Sequence, residues 1–276
     1  MHNTVACPDK LTHLDPQTRL LVRSILGFFG CFLKVDNEAV LRTTPDPVIF
    51  VFNHNNYWET LVVSSYLLSQ RTGKKLAFLS DWMFGRLPVF SWFLKRIDPI
   101  YTYRKNARFA FLNKCQQKAD GQAVCQACLE RLRNRQSLGI FPEGTRNKNP
   151  HQLKRGRKGV GEIALRSGVP VLPVGIASSQ RPDHYHLPFF NPLILKFGSP
   201  LTFLEECTAY QAVTREAPLS PLERKKLQLL LSAGVTHTIM LALARLSGKE
   251  YPFSPPQSSS LAQQYFGNTL REGESL

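Results

Sequence analysis

The chain has 276 residues, of which 43% are hydrophobic, enough to close one sizeable core, and a formal net charge of +15. Such a basic excess favours an anionic partner: nucleic acid, an anionic membrane surface or a phosphorylated substrate. Nucleic acid fits poorly, because the basic residues are distributed rather than gathered on a recognition helix or an aromatic-studded sheet, and no zinc or RNA-binding signature appears. The first residues lack the basic-then-apolar pattern of a secretory signal. Of six cysteines, only Cys125 and Cys128 have Cys-x-x-Cys spacing, inside a helical stretch and without the second pair zinc would need. Reduced thiols in a cytosolic setting are the expectation.

Asp15 caps a first helix with Pro16 at its first position, and the apolar stretch continues to about Val35. Within it, Leu20 to Val35 contains Arg23 and Lys34 and is short for a bilayer span. It reads as an interfacial helix, as half of a helical hairpin in one leaflet, or as a core helix. Pro45 and Pro47 bracket the loop into an apolar, β-rich run, Val48 to Phe52, which ends abruptly in Asn53 to Asn56. A helical pattern then runs from Tyr57 to Gln70. This is a buried strand, a tight turn and a helix N-terminus. His54 stands at the mouth of the turn and Glu59 in the first turns of the helix, the placement of a general base and its orienting acid.

A strand follows at Leu76 to Leu79, with Asp81 as a cap for what comes next. The aromatic segment Trp82 to Leu94, interrupted by Pro88, reads either as core or as an interfacial or acyl-facing wall. Ile97 to Tyr103 is a strand ending at Arg104-Lys105. A helical region extends from Asn106 to Arg135, with Gly121 as a break. Ser137 to Phe141 is a strand, and the loop Pro142 to Pro150 again carries polar residues at a strand exit. Two such exits in one α/β chain face a common cleft. The basic run Lys154 to Lys158 precedes a helix ending at Ser167. Val169 to Ile176 is a strand whose Pro170 and Pro173 place it at an edge or at a bulge. Ile194 to Phe197 is a last strand, and Ser220-Pro221-Leu222-Glu223 is a capping box opening a helix to about Leu246. From Tyr251 the composition turns to Ser, Pro and Gln, as in a disordered tail.

The expected fold is α/β, a mixed, mostly parallel sheet flanked by helices, with an N-terminal helical, membrane-associating appendage. Residues 1–45 form the appendage, 46–250 the α/β domain and 251–276 the tail.

Two stretches carry a family resemblance: Asn53-His54 with an acid five positions after the histidine, and Phe141-Pro142-Glu143-Gly144-Thr145-Arg146. Together they resemble the glycerophospholipid acyltransferases of the 1-acyl-sn-glycerol-3-phosphate acyltransferase type. Ile100-Tyr101-Thr102-Tyr103-Arg104 is similar to that family's second block. Arg157-Lys158-Gly159, Ala164-Leu165 and Gly168 to Val174 look like its last block. The likeness spans Val48 to Ile176 in the correct order. One position departs: the family's usual acid is aspartate, and here it is Glu59, longer by one methylene.

The resemblance implies transfer of a fatty acyl group from acyl-CoA or acyl-carrier protein to lysophosphatidic acid, with no cofactor and no metal. His54 would be the base and Glu59 its orienting partner, without an acyl-enzyme. Arg104 and Arg146 would clamp the glycerophosphate group. Glu143 either orients Arg146 or accepts a hydrogen bond from a glycerol hydroxyl. Gly144 allows close backbone approach, Thr145 offers a hydroxyl, and Lys158 meets anionic groups or belongs to a solvated loop. The implied partners are a membrane lipid surface, a lysophospholipid acceptor and the acyl donor, with the site on the cytoplasmic side. Alternatives are glycerol-3-phosphate or another lipid alcohol as acceptor, a non-catalytic anionic-lipid-binding protein on the same fold, and a metal hydrolase. The last lacks a coherent third ligand, since His184 and His186 lie in a separate proline-rich loop.

Overall fold

In the computed structural model, residues 3–4, 11–12, 14–71, 76–81, 98–102, 121–178, 192–215 and 219–256 are described. Strand β3, Ile49–Phe52, contains no polar residue and is buried throughout, as a strand covered on both faces requires. Ile49 and Val51 point into one apolar layer, Phe50 and Phe52 into the other.

Around β3 the chain alternates strand and helix. Before it come β1 (Asn3–Thr4), α1 (Pro16–Phe29), β2 (Leu33–Asp36) and α2 (Glu38–Thr43). After it come α3 (Tyr57–Gln70), β4 (Leu76–Asp81), β5 (Ile100–Thr102), α4 (Gly121–Arg133), β6 (Ser137–Ile140) and α5 (Gly159–Ser167). The last elements are β7 (Val171–Ser178), β8 (Leu193–Phe197), α6 (Leu204–Arg215) and α7 (Pro221–Ser247). The sheet order is β1-β2-β8-β7-β3-β6-β4-β5. Only the β1–β2 and β7–β8 pairings are antiparallel among the described residues, so the sheet is mixed and mostly parallel, as expected. Helices α1 and α3 pack on one face, and α4 to α7 on the other.

Local signals placed several helix ends correctly. The Asp15 carboxylate accepts from Gln17 and Thr18 N–H at 3.1 Å each, and Ser220 with Glu223 forms the full capping box of α7. The N-terminal part differs from expectation. The first helix stops at Phe29, a short 3₁₀ turn at Gly30–Phe32 follows, and Leu33–Asp36 pairs in parallel with β8. Because Val22 and Leu26 pack into the core beside α3, α1 is built into the fold rather than appended to it.

The proline-bearing strand is also not at an edge: β7 lies between β3 and β8. Pro170 precedes β7, and Pro173 is tolerated because the antiparallel ladder slips there. Between the Val171–Leu201 bridge and the Val174–Phe197 pair, three steps along β7 face four on the returning chain. That extra residue is a bulge, the other outcome expected of Pro173.

Helix α7 is, among the described residues, the one helix long and apolar enough to cross a bilayer, yet half of its apolar window is buried inside the protein. Leu227, Leu231, Val235, Ile239 and Leu243 form one ridge of a face packed on α5 and β7. It approaches α5 so closely that a Cβ on Gly161 would strike the Ser232 carbonyl. Arg104, the aromatic segment Trp82 to Leu94, the helical stretch 106–120, His184, His186 and the tail from 257 onward lie outside the described residues.

Candidate active site

Parallel pairing aligns Val51 of β3 with Ile140 of β6, so the two polar strand exits emerge side by side. Asn53 closes the first. Its Oδ1 accepts from the Ile176 N–H at 2.6 Å, and its Nδ2 donates to the Ile176 carbonyl at 2.8 Å. The fully buried amide thereby acts as a surrogate peptide group, carrying the ladder to β7 one step beyond the strand.

His54 follows directly. Its N–H donates to Glu143 Oε1 at 3.0 Å, its carbonyl accepts from Asn147 N–H at 2.7 Å, and its ring lies 4.4 Å from that of Phe141. The imidazole is thus held by the neighbouring exit on its backbone and its face. Its side chain is 16% exposed, and Nδ1 stands 3.5 Å from Glu59 Oε2.

Glu59 is buried at 2% exposure. Its Oε2 accepts from Asn55 N–H at 2.6 Å and from Asn56 N–H at 3.0 Å, while Asn56 Oδ1 accepts from Glu59 N–H at 3.4 Å. That is a capping box opening α3, with Asn56 at the cap and Glu59 three residues on. One carboxylate therefore ends the turn, starts the helix and faces the histidine. The sequence signal was present in Asn-x-x-Glu but was masked by the catalytic reading of the same residues.

The signature loop begins as a tight turn, with Gly144 N–H donating to the Phe141 carbonyl at 2.9 Å. Gly144 has φ of +65°, and a Cβ there would collide with the side chain of Arg157. Only glycine meets both demands. Glu143 is buried at 3% exposure. Its two oxygens accept from backbone N–H groups of His54 at 3.0 Å and Lys154 at 2.9 Å. The acid that looked misplaced beside a phosphate site is a clamp between the two exits.

Lys154 closes the loop from above, its Nζ donating to the Arg146 carbonyl at 2.6 Å and to Thr145 Oγ1 at 3.2 Å. Thr145 thus serves as an acceptor here. Arg146 is half-buried in the same loop, while Arg157 and Lys158 are exposed where α5 begins. Two further groups were missed. Asn55 accepts on its side chain from Lys249 Nζ at 2.6 Å, across 194 residues. Arg157, which covers Gly144, stands in the sequence as one member of the basic run and of the last family block, with no role of its own. Among the described residues no group of three or more His, Cys, Asp or Glu is placed to hold a metal ion.

The family model described as Acyltransferase matches residues 33–177, from β2 to β7 and across both strand exits. Two chloroplastic plant proteins are similar to this chain. The 1-acyl-sn-glycerol-3-phosphate acyltransferase LPAT1 of Arabidopsis thaliana is 26% identical over 146 residues, 52% of this chain and 36% of its own length. The corresponding BAT2 protein of Brassica napus is 27% identical over 146 residues, 52% of this chain and 37% of its own. The chain thus matches little more than a third of either relative's length. Among solved structures, the 1-acyl-sn-glycerophosphate (LPA) acyltransferase PlsC of Thermotoga maritima is 18% identical with a TM-score of 0.45, over 80% of each chain. With the model matched over more than half of its length, this chain belongs to the acyltransferase family.

Proposed function

We propose that the protein transfers a fatty acyl group from an acyl thioester, acyl-CoA or acyl-carrier protein, to the free hydroxyl of lysophosphatidic acid, giving phosphatidic acid. The observation that carries this reading is His54, backed by Glu59 and pinned by its own backbone to the signature loop through Glu143. It agrees with the activity named for the plant relatives.

The chemistry needs few parts. Nδ1 carries a proton toward Glu59, which leaves Nε2 as the base for the acceptor hydroxyl. The alcohol oxygen attacks the thioester carbonyl while Nε2 takes its proton. The tetrahedral intermediate collapses by breaking the C–S bond, and the imidazolium returns the proton to the departing thiolate. An ester and a free thiol result, with no acyl-enzyme and no cofactor. The 3.5 Å separation of Nδ1 and Glu59 exceeds a strong hydrogen bond, as catalytic pairs often do before substrate binds. Arg146, Arg157 and Lys158 supply cations for the acceptor phosphate, with Arg104 assigned to the same group by its motif.

The test is acyl transfer to lysophosphatidic acid and to glycerol-3-phosphate, with both donors, by wild type and His54→Ala. Turnover on lysophosphatidic acid that vanishes in the variant is expected. Preference for glycerol-3-phosphate would rename the acceptor, and no turnover with any pair would overturn the reading.

Attachment to a membrane surface belongs to the same proposal. Leu20 and Phe28 are 68% and 57% exposed on α1, on the side away from its buried Val22 and Leu26, and Arg23 is exposed between them. Deleting α1 would strip core packing, so the informative variant is Leu20→Ser with Phe28→Ser. Co-sedimentation with anionic vesicles should fall while thermal unfolding stays put, and unchanged sedimentation would refute attachment through this face.

A further inference from the structure

Lys249 lies outside the matched region, yet its side chain reaches the catalytic turn. Helix α7 ends at Ser247, Gly248 turns the chain with φ of +70°, and Lys249 comes next. Its Nζ donates to Asn55 Oδ1 at 2.6 Å and to the Asn149 carbonyl at 3.0 Å. Asn55 is the residue whose N–H donates to Glu59, and Asn149 belongs to the extension of the signature loop. One ammonium group therefore joins both exits.

The segment around it is fastened to the same loop. Glu250 N–H donates to the His151 carbonyl, and Leu153 N–H to the Glu250 carbonyl, both at 2.8 Å. Gly156 N–H donates to Tyr251 Oη at 3.3 Å, and Arg155 lies over the Phe253 ring at 5.4 Å. Four residues past the long helix, Lys249, Glu250, Tyr251 and Phe253, thus anchor the loop that carries the signature.

The charges point the same way. Glu59 and Glu143 are both buried, and among the described residues neither forms an ion pair with a lysine or arginine. Burial pushes the Lys249 ammonium below its usual range, and Glu143 and Glu59 act on it in the opposite direction. Both carboxylates thus favour the charged ammonium that Asn55 and the Asn149 carbonyl hold in place.

We propose that Lys249 is a positioning residue for acyl transfer, locking the His54 turn to the signature loop and supplying the positive charge that balances the two buried carboxylates beside the imidazole. This rests on the acyl-transfer reading above. Among the described residues, the charged groups on the elements that meet at the His54 turn are Glu59 from α3, Glu143, Arg146 and Lys154 from the signature loop and its extension, Arg157 ahead of α5, and Lys249.

The experiment compares Lys249→Met, Lys249→Gln and Lys249→Arg with wild type in kcat, KM, the pH dependence of kcat/KM, thermal unfolding and hydrogen exchange at the Asn55 and Asn56 amides. Lys249→Met should lower kcat about 30-fold with little change in acceptor KM, because the turn and loop lose their shared anchor. It should also speed exchange of those two amides and move the acid limb of kcat/KM to higher pH, since the two buried carboxylates then lack their balancing charge. Lys249→Gln keeps a donor without the charge and should show the same displaced limb, and Lys249→Arg should restore the wild-type limb. A folded Lys249→Met enzyme with wild-type kcat and acid limb would overturn the proposal. So would activity lost only in step with thermal stability, the acid limb unmoved. If Lys249→Met fails to fold, Lys249→Gln decides by the same readings. A wild type inactive on every acceptor would instead overturn the acyl-transfer reading, and amide exchange in the variants would still decide whether Lys249 locks the turn.

Discussion

The exits of β3 and β6 sit side by side and begin alike, each an apolar strand ending in polar residues, but they are built for different tasks. After β3 the turn runs from fully buried Asn53 to exposed Asn56, and its groups are held by hydrogen bonds: Asn53 to Ile176, Asn55 and Asn56 to Glu59, His54 to Glu143. After β6 the first residues are buried and clamped, but from Gly144 onward the loop opens and cations gather on it. A general base needs fixed geometry, because misplacement of about 1 Å costs on the order of 100-fold in rate. A phosphate site needs open donors that a ligand can reach. In the proposed reaction the first exit is the chemical half and the second the binding half, and each can be broken alone.

The largest effect belongs to the chemical half. His54→Ala should lower kcat on the order of 1,000-fold, the usual worth of a positioned base, with KM for the acceptor little changed. Steady-state kinetics on lysophosphatidic acid checks the split, and a loss confined to KM would show that His54 only binds.

Glu143 joins the halves, so its substitution tests whether they are separable. In Glu143→Gln one of two part-buried N–H groups, of His54 or Lys154, meets an NH₂ instead of an oxygen. An unsatisfied buried donor costs about 1–3 kcal/mol, and the displaced His54 backbone should cost roughly 100-fold in kcat. Urea unfolding and turnover should fall together, and a stable, fully active variant would dissolve the clamp.

Glu59→Asp sharpens the comparison, because it installs the acid usual in the resembled family. Here the longer side chain already serves Asn55 and Asn56 N–H and faces Nδ1. Shortening it withdraws the carboxylate from the turn, so kcat should fall about 10-fold rather than rise. A gain in turnover would mean that Glu59 had weakened the dyad.

What the sequence revealed was whatever is local. The Asp15 cap, the Ser220 capping box and the polar exits of β3 and β6 are written within a few consecutive residues. The N-terminal apolar run concealed a break at Gly30, because Leu33–Asp36 becomes a strand only by pairing with β8, some 160 residues on. Pro170 and Pro173 left edge and bulge open, since their consequence depends on where the partner chain slips. The clamp made by Glu143 was hidden because its oxygens accept from backbone amides, which side-chain chemistry does not advertise. Lys249 gave no signal at all, being an ordinary lysine after a helix until the fold carries it to Asn55.

The smallest effect tests the open half. Arg146 is half-buried, its carbonyl is held by Lys154, and Arg157 and Lys158 stand nearby in the basic run. Removing one cation among several leaves a weakened but working phosphate site, so Arg146→Ala should raise acceptor KM about fivefold at low salt and leave kcat nearly unchanged. The difference should shrink as ionic strength rises, because exposed cations are screened while a buried hydrogen-bonded clamp is not. Arg146→Lys keeps the charge without the planar pair of donors and should recover only part of the loss. A fall in kcat with KM unchanged would place Arg146 with the chemical half, and the division between the two exits would then fail at its boundary residue.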